Sequence, residues 1–75
     1  MTAKEMFGII GYKSIDTKYK KFMNDKKIIY IGNNHNGRIN HIVFFNDEQI
    51  LITQSIGVAE LQAINKQVEE LGWNK

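Results

Sequence analysis

Apolar positions recur at helical spacing at both ends of the chain. Near the start they are three, four and seven residues apart, which places them on one face of a helix: Ala3, Met6, Phe7 and Ile10. Thr2 and Glu5 form the S/T-x-x-E pattern of a capping box, so the helix is predicted to begin there. Gly11 is predicted to end it, with Tyr12 folding back onto Phe7.

A second helix is predicted near the C-terminus, where the apolar positions again form one stripe: Val58, Leu61, Ile64, Val68 and Leu71. Glu60 lies in its first turn, where a carboxylate interacts favourably with the helix dipole. Ser55 or Gly57 is the predicted N-cap. Gly72 is predicted to end the helix, and Trp73 to fold back onto it.

Three segments between the helices have the β-branched and aromatic composition of strands: 28–31, 39–45 and 50–53. Asn36 and Gly37 predict a tight turn after the first of them, and residues 46–48 a turn after the second. Connections this short make the sheet an antiparallel meander.

Residues 13–24 leave two alternatives open. Either 13–17 or 18–23 could supply a fourth strand at an edge of the sheet, where lysines discourage pairing with other strands. The pattern as a whole predicts one α+β domain over residues 1–75. It consists of an N-terminal helix, a three- to four-stranded antiparallel meander and a C-terminal helix.

Both faces of the predicted sheet are apolar, because side chains alternate between faces along a strand. In the strand at 39–45, Ile42 and Phe44 point one way and Ile39, Val43 and Phe45 the other; in the strand at 28–31, Ile28 and Tyr30 oppose Ile29 and Ile31 in the same manner. Two short helices can cover one face; the other stays open unless the helices straddle the sheet or residues 18–23 fold over it. An open apolar face is typical of a partner-binding surface or a homodimer. We take Tyr30, Ile42 and Phe44 as the candidate partner-binding residues.

Charge is spread unevenly along the chain, whose net charge is +2. Residues 13–27 hold six lysines against two aspartates, and basic and aromatic residues alternate there. Lysines could neutralise phosphates while the aromatic rings stack on bases. The candidate nucleic-acid-binding residues are Lys18, Tyr19, Lys20, Lys21, Phe22, Lys26, Lys27 and Arg38. The alternative is a solvated lysine-rich segment with two core aromatics, since short basic runs are common.

Side chains that could carry chemistry are few. The chain has no cysteine, which excludes disulfides and thiolate metal sites. His35 and His41 are the candidate metal ligands, but their spacing crosses a predicted turn and matches no zinc template. The chain has no G-x-S-x-G pattern, and no glycine-rich loop precedes a helix as in a phosphate site. We therefore predict neither an enzyme nor a bound cofactor.

The sequence also indicates where in the cell the protein is located. No apolar run approaches the roughly 18 residues of a membrane-spanning helix, and residues 1–10 lack the pattern of a signal peptide. These features predict a cytoplasmic protein without a membrane partner.

Two segments carry a family resemblance. One is Thr2-Ala3-Lys4-Glu5-Met6-Phe7 followed by Gly11-Tyr12, and the other is ELQAINKQVEELGW at residues 60–73. Both resemble the ends of a group of small proteins from phages and prophages of Gram-positive bacteria, although that group usually has Thr or Ser where this chain has Gly57. No catalytic residues are implied by this resemblance.

The resemblance implies an accessory protein of a mobile element that binds host machinery in the host cell cytoplasm. Inhibition of a CRISPR effector nuclease, as by anti-CRISPR proteins, is one such activity. The first functional prediction is therefore a non-enzymatic phage accessory protein that binds a host protein. The alternative is a small nucleic-acid-binding or regulatory protein that uses the basic segment 18–27.

Overall fold

A computed structural model describes residues 1–15 and 28–73 in full and residues 26–27 in their backbone. Its elements follow the order α1 (Ala3–Ile9), β1 (Lys13–Ser14), β2 (Lys26–Asn33), β3 (Ile39–Phe45), β4 (Ile50–Ile52) and α2 (Val58–Leu71). The strands form one antiparallel sheet in the order β1-β2-β3-β4. The predicted α+β meander between two helices is confirmed.

The first helix begins and ends as predicted. Thr2 Oγ1 accepts a hydrogen bond from the Glu5 amide at 3.1 Å, and Glu5 Oε1 accepts one from the Thr2 amide at 2.8 Å. The bond from the Thr2 amide lowers the pKa of Glu5. Gly11 adopts a φ of 91°, and the Tyr12 amide donates to the Phe7 carbonyl at 2.8 Å. The two rings meet edge to face with centroids 5.7 Å apart.

The strands also lie close to their predicted bounds. Gly37, with a φ of 75°, lies in the turn between β2 and β3. In the turn between β3 and β4, Glu48 has a positive φ of 66°, which is strained for a residue other than glycine. Of the two alternatives for a fourth strand, residues 13–14 form β1 at the edge beside β2. The alternative at 18–23 lies outside the described residues.

The core lies between the helices and one face of the sheet. Its centre is aromatic: the Phe7 ring of α1 stacks on Tyr30 of β2 with centroids 3.9 Å apart, and Tyr30 meets Phe44 of β3 edge to face at 6.2 Å. Aliphatic residues from both layers complete it: Ile42, Ala63 and Ile64. The helices therefore lie on the same face of the sheet and do not straddle it.

The second helix ends as predicted but is rotated relative to the predicted stripe. Gly72 takes a φ of 76°, and the Trp73 amide donates to the Val68 carbonyl at 3.1 Å. Val58 and Leu61, both predicted to be buried, are exposed. Ile64 of the predicted stripe is buried, and Val68 and Leu71 pack against the core. The other buried residues of α2 are Glu60, Ala63 and Gln67. Within the described part of the chain, no helix is long and apolar enough to cross a membrane.

Candidate protein-binding surface

The three residues predicted to bind a partner belong to the core. Tyr30 is 3% exposed, and Ile42 and Phe44 are fully buried. The Tyr30 hydroxyl donates to Gln67 Oε1 at 2.6 Å, and burial together with the negative charge of Glu70 raises the pKa of Tyr30 to about 12. The partner-binding prediction is thus wrong for these residues, because their face of the sheet is the one that both helices cover.

The other face of the sheet is also less open than expected. The register places Ile29 opposite Val43 and Val43 opposite Leu51, so these three side chains lie side by side on that face. Val43 is buried and Ile29 half-buried, whereas Leu51 on the edge strand is exposed. On this face, the large exposed apolar side chains are therefore Leu51 of β4 and Ile39 at the start of β3, within the described part of the chain.

Among the described residues, the most exposed apolar side chains lie at the start of the chain and on the two helices. Met1 is 74% exposed, Ile9 71% and Val58 70%. Met1 and Ile9 border a hollow of about 170 Å³ between α1 and α2, which is lined by Met1, Met6, Ile9, Ile10, Ala59 and Gln62. Val58 lies one helical turn before Gln62 and so extends the apolar area along α2. We call Met1, Ile9, Val58 and this hollow the helix-pair surface.

Sequence reasoning missed this surface for two reasons. Val58 was assigned to the buried stripe because of its hydrophobicity. Ile9 lies beside the predicted apolar face of α1 but not on it, so its exposure could have been read from the helical spacing.

A buried polar network fills the space at the other end of the core. The Tyr12 hydroxyl donates to Glu60 Oε2 at 3.0 Å and accepts from Asn40 Nδ2 at 3.1 Å. Asn40 Oδ1 accepts from the amides of Thr53 and Gln54 at 3.2 and 2.9 Å. Burial raises the pKa of Tyr12; the bond from Asn40 opposes this, and Glu60 adds to it.

This network joins four parts of the chain: the end of α1, β3, the segment after β4 and the start of α2. Glu60 Oε1 also accepts from the Gly57 amide at 2.9 Å, so the carboxylate caps α2 as well. Throughout the described residues, every buried side-chain nitrogen or oxygen has a hydrogen-bond partner. The network therefore acts within the fold.

The basic residues do not form one cluster. Lys18 to Phe22 lie outside the described residues. Lys26 lies opposite Phe45 at one end of the β2–β3 pair, with Lys27 beside it, whereas Arg38 directly precedes Ile39 at the other end. The register separates Lys26 and Lys27 from Arg38 by about the length of the seven-residue strand β3, so these three candidates do not lie together.

The candidate metal ligands lie on different structural features. His35 lies in the turn that follows β2 and is exposed. His41 is exposed in the middle of β3, opposite Ile31, on the face away from the helices. Among residues 1–15 and 26–73, no group of three histidine or acidic side chains is placed to hold a metal ion.

Comparisons with protein-family models, with curated proteins and with solved structures find no match to this chain.

Proposed function

We propose that this protein is a non-enzymatic accessory protein of a phage or prophage that binds a host protein. A CRISPR effector nuclease is the first host protein to test. The observation that supports binding is the helix-pair surface, on which three apolar side chains are 70–74% exposed. Apolar side chains that cluster outside the core of a small protein are typical of a binding surface. The resemblance of the two terminal segments supports the phage origin.

The shape of this surface indicates what kind of partner fits it. Cavities of about 150 Å³ accommodate a benzene ring, so the hollow of about 170 Å³ between the helices has room for one aromatic or aliphatic side chain. Met1 and Met6 line it, and methionine side chains adapt their shape to a bound group. The proposed partner is therefore a protein that inserts an apolar side chain between α1 and α2.

The polar interior supports a role without catalysis. Among the described residues, burial raises the pKa of Tyr12 and of Tyr30, and both hydroxyls donate hydrogen bonds within the core. A catalytic acid or base needs access to a substrate proton. Tyr12, Tyr30 and Glu60 are all buried, and the partners of these groups are residues of the fold.

A pull-down from the lysate of a CRISPR-bearing Gram-positive host tests this proposal. The tagged wild-type protein is compared with Ile9→Lys, which places a charge at the mouth of the hollow. Ile39→Lys is the matched control, because Ile39 is an exposed aliphatic residue on the sheet face away from the helices. Each sample is divided into nuclease-treated and untreated portions, and retained proteins are identified by mass spectrometry. A retained effector nuclease is then purified and assayed for DNA cleavage with each variant.

We expect the effector nuclease to stay bound after nucleic-acid digestion, and its cleavage activity to fall with wild-type protein and Ile39→Lys. Ile9→Lys should neither retain nor inhibit it. Equal inhibition by all three proteins would overturn the helix-pair surface as the binding site. Recovery only of proteins that are lost on digestion would overturn the proposed function. It would favour the nucleic-acid-binding alternative through residues 18–27.

A further inference from the structure

The outer edge of β4 differs from the other edge of the sheet. β4 is the last strand and consists of Ile50, Leu51 and Ile52, which are 36%, 48% and 37% exposed. The opposite edge strand begins with Lys13, and lysine on an edge discourages pairing with another chain. An apolar edge strand without charge is one to which a further strand readily adds.

The hydrogen bonds between β3 and β4 determine which backbone groups face outward. The Thr53 amide donates to the His41 carbonyl at 3.2 Å, so the backbone of Thr53 faces β3. Backbone direction alternates along an antiparallel strand. The backbone N–H and C=O groups of Leu51 therefore also face β3, whereas those of Ile50 and Ile52 point away from β3. Within the described part of the chain, these outward groups meet no other strand.

We propose that this edge pairs with the same edge of a second copy of the chain. The product is a two-fold symmetric dimer with one sheet continuous through both copies. When the antiparallel pairing is centred on Leu51, Ile50 of each copy lies opposite Ile52 of the other. Both residues have outward backbone groups, so each of these two pairs forms two hydrogen bonds. A shift of two residues in either direction would leave one outward residue of the strand unmatched.

Side chains at the edge are also self-complementary. Leu51 of the two copies meets at the symmetry axis as a non-hydrogen-bonded pair, the arrangement in which opposite side chains lie closest. The strand has no charged residue, so a second copy brings no like-charge repulsion to the contact. Isologous contacts of this kind are the commonest route to a symmetric dimer.

The symmetry axis of such a dimer is perpendicular to the sheet, so both helix layers lie on the same side. Two helix-pair surfaces then face one direction. If the proposed function holds, this arrangement gives a bivalent binder whose avidity exceeds the affinity of one copy. The dimer itself does not depend on the proposed function.

Charge substitutions at the symmetry axis test the pairing directly. We expect analytical ultracentrifugation to show a concentration-dependent dimer for the wild type over the micromolar to millimolar range. Leu51→Lys and Leu51→Glu should each be monomeric, because residue 51 would face its own like charge. Mixed in equal amounts, they should form a heterodimer. Ile39→Lys and Ile39→Glu are the matched controls and should each dimerise as the wild type does.

If the wild type is monomeric throughout this range, the proposed dimer is wrong. If Leu51→Lys still dimerises, the edge of β4 is not the dimer interface. Failure of the mixture to associate would overturn the register centred on Leu51.

Circular dichroism checks the fold of each variant. If the Leu51 variants are unfolded, Ile50→Pro replaces them, because it removes one outward N–H and proline is tolerated on edge strands. It should then be monomeric, and a dimer would overturn the pairing. Ile9→Lys should leave the dimer unchanged, which separates this result from failure of the proposed function.

Discussion

The hydroxyl of Tyr30 donates a 2.6 Å hydrogen bond to Oε1 of Gln67, which joins the centre of the sheet to the middle of α2 inside the core. Gln67 is 4% exposed, and an unpaired amide at such a position would be destabilising. The Phe7 ring stacks on Tyr30 and helps to fix its position. This hydrogen bond explains why a glutamine lies on the buried side of the helix.

The burial of Tyr30, together with the negative charge of Glu70, predicts that the free energy of unfolding falls at alkaline pH. The native state keeps Tyr30 protonated up to a pKa of about 12, whereas the unfolded chain loses that proton near the ordinary value of 10.0. The native state therefore binds more protons between these values, and the free energy of unfolding should fall as pH rises through this window. Below about pH 10 this contribution is fully present. Urea unfolding at a series of pH values measures it.

Tyr30→Phe is the control for this effect. It removes the titrating hydroxyl and leaves Gln67 without its partner, which should cost about 1–3 kcal/mol at neutral pH. All other titratable groups are common to both proteins, so the difference between the two slopes isolates Tyr30. Equal slopes for wild type and variant would contradict the prediction.

Asn40 is predicted to be the polar core residue least tolerant of substitution. Its side chain donates to Tyr12 and accepts from the amides of Thr53 and Gln54. Asn40→Ala removes these bonds and a fourth, which Asn40 Oδ1 accepts from Thr53 Oγ1, at a fully buried site, and each unpaired buried group costs about 1–3 kcal/mol. We expect a loss of at least about 2 kcal/mol in the free energy of unfolding.

Asn36→Ala is the matched control for Asn40→Ala, because Asn36 lies exposed in the turn after β2. Its effect should stay within about 0.5 kcal/mol. Chemical denaturation of both variants gives the comparison. A similar loss in the two variants would show that the buried network does not stabilise the fold.

Much of the fold could be predicted because its signals are local. The capping box at Thr2 and the glycines at 11, 37 and 72 determine where helices and turns begin or end without reference to the rest of the chain. The strand over residues 39–45 was predicted with its observed bounds, since its run of β-branched and aromatic residues is bordered by turn residues.

The buried side of α2 could not be predicted from hydrophobicity. Glu60 and Gln67 are buried because Tyr12 and Tyr30, distant in sequence, supply their hydrogen-bond partners. Hydrophobic spacing contains no information about such pairs, so it assigned Val58 to the core. The same limitation affected the candidate site. The alternation of side chains identified two apolar faces of the sheet but not the face that the helices cover.

The start of α2 offers a gain in stability. Gly57 is its N-cap in an extended conformation, with φ of −98°, so any residue can adopt that backbone. Gly57→Ser adds a hydroxyl that can accept from a free amide of the first turn, as Thr2 does in α1. We expect Gly57→Ser to raise the free energy of unfolding by a few tenths of a kcal/mol.

Gly57→Ala is the control for the cap, since it adds a Cβ without a hydroxyl. That Cβ would lie 3.4 Å from Glu60 Oε1, a distance common to both variants. Serine should therefore exceed alanine in stability by about 1 kcal/mol in thermal unfolding. Equal stability of the two variants would mean that the hydroxyl makes no cap.

Two other glycines should respond in opposite directions to the same substitution. A Cβ on Gly32 would lie 2.7 Å from the Tyr12 ring and 2.8 Å from the Gly11 carbonyl oxygen, so Gly32 is what allows the end of α1 to cross β2. Gly8 is exposed within α1, and a Cβ there would meet no atom within 4 Å. We expect Gly32→Ala to destabilise the fold by about 1–3 kcal/mol, the range for overpacking. Gly8→Ala should stabilise it by about 0.5–1 kcal/mol through helix propensity.

Urea unfolding of the two variants and the wild type shows whether the effect of Gly32→Ala is set by the conformational preference of the residue or by its packing against Tyr12. Alanine has a lower entropic cost than glycine within a strand, so on propensity alone both substitutions would stabilise. A stabilised Gly32→Ala would mean that Tyr12 and Gly11 shift away from β2 at little cost. Loss of stability in Gly32→Ala together with a gain in Gly8→Ala would show that the contact of Tyr12 with β2 sets the requirement for glycine. The position of Tyr12, and with it the polar network that begins at the Tyr12 hydroxyl, would then depend on glycine at position 32.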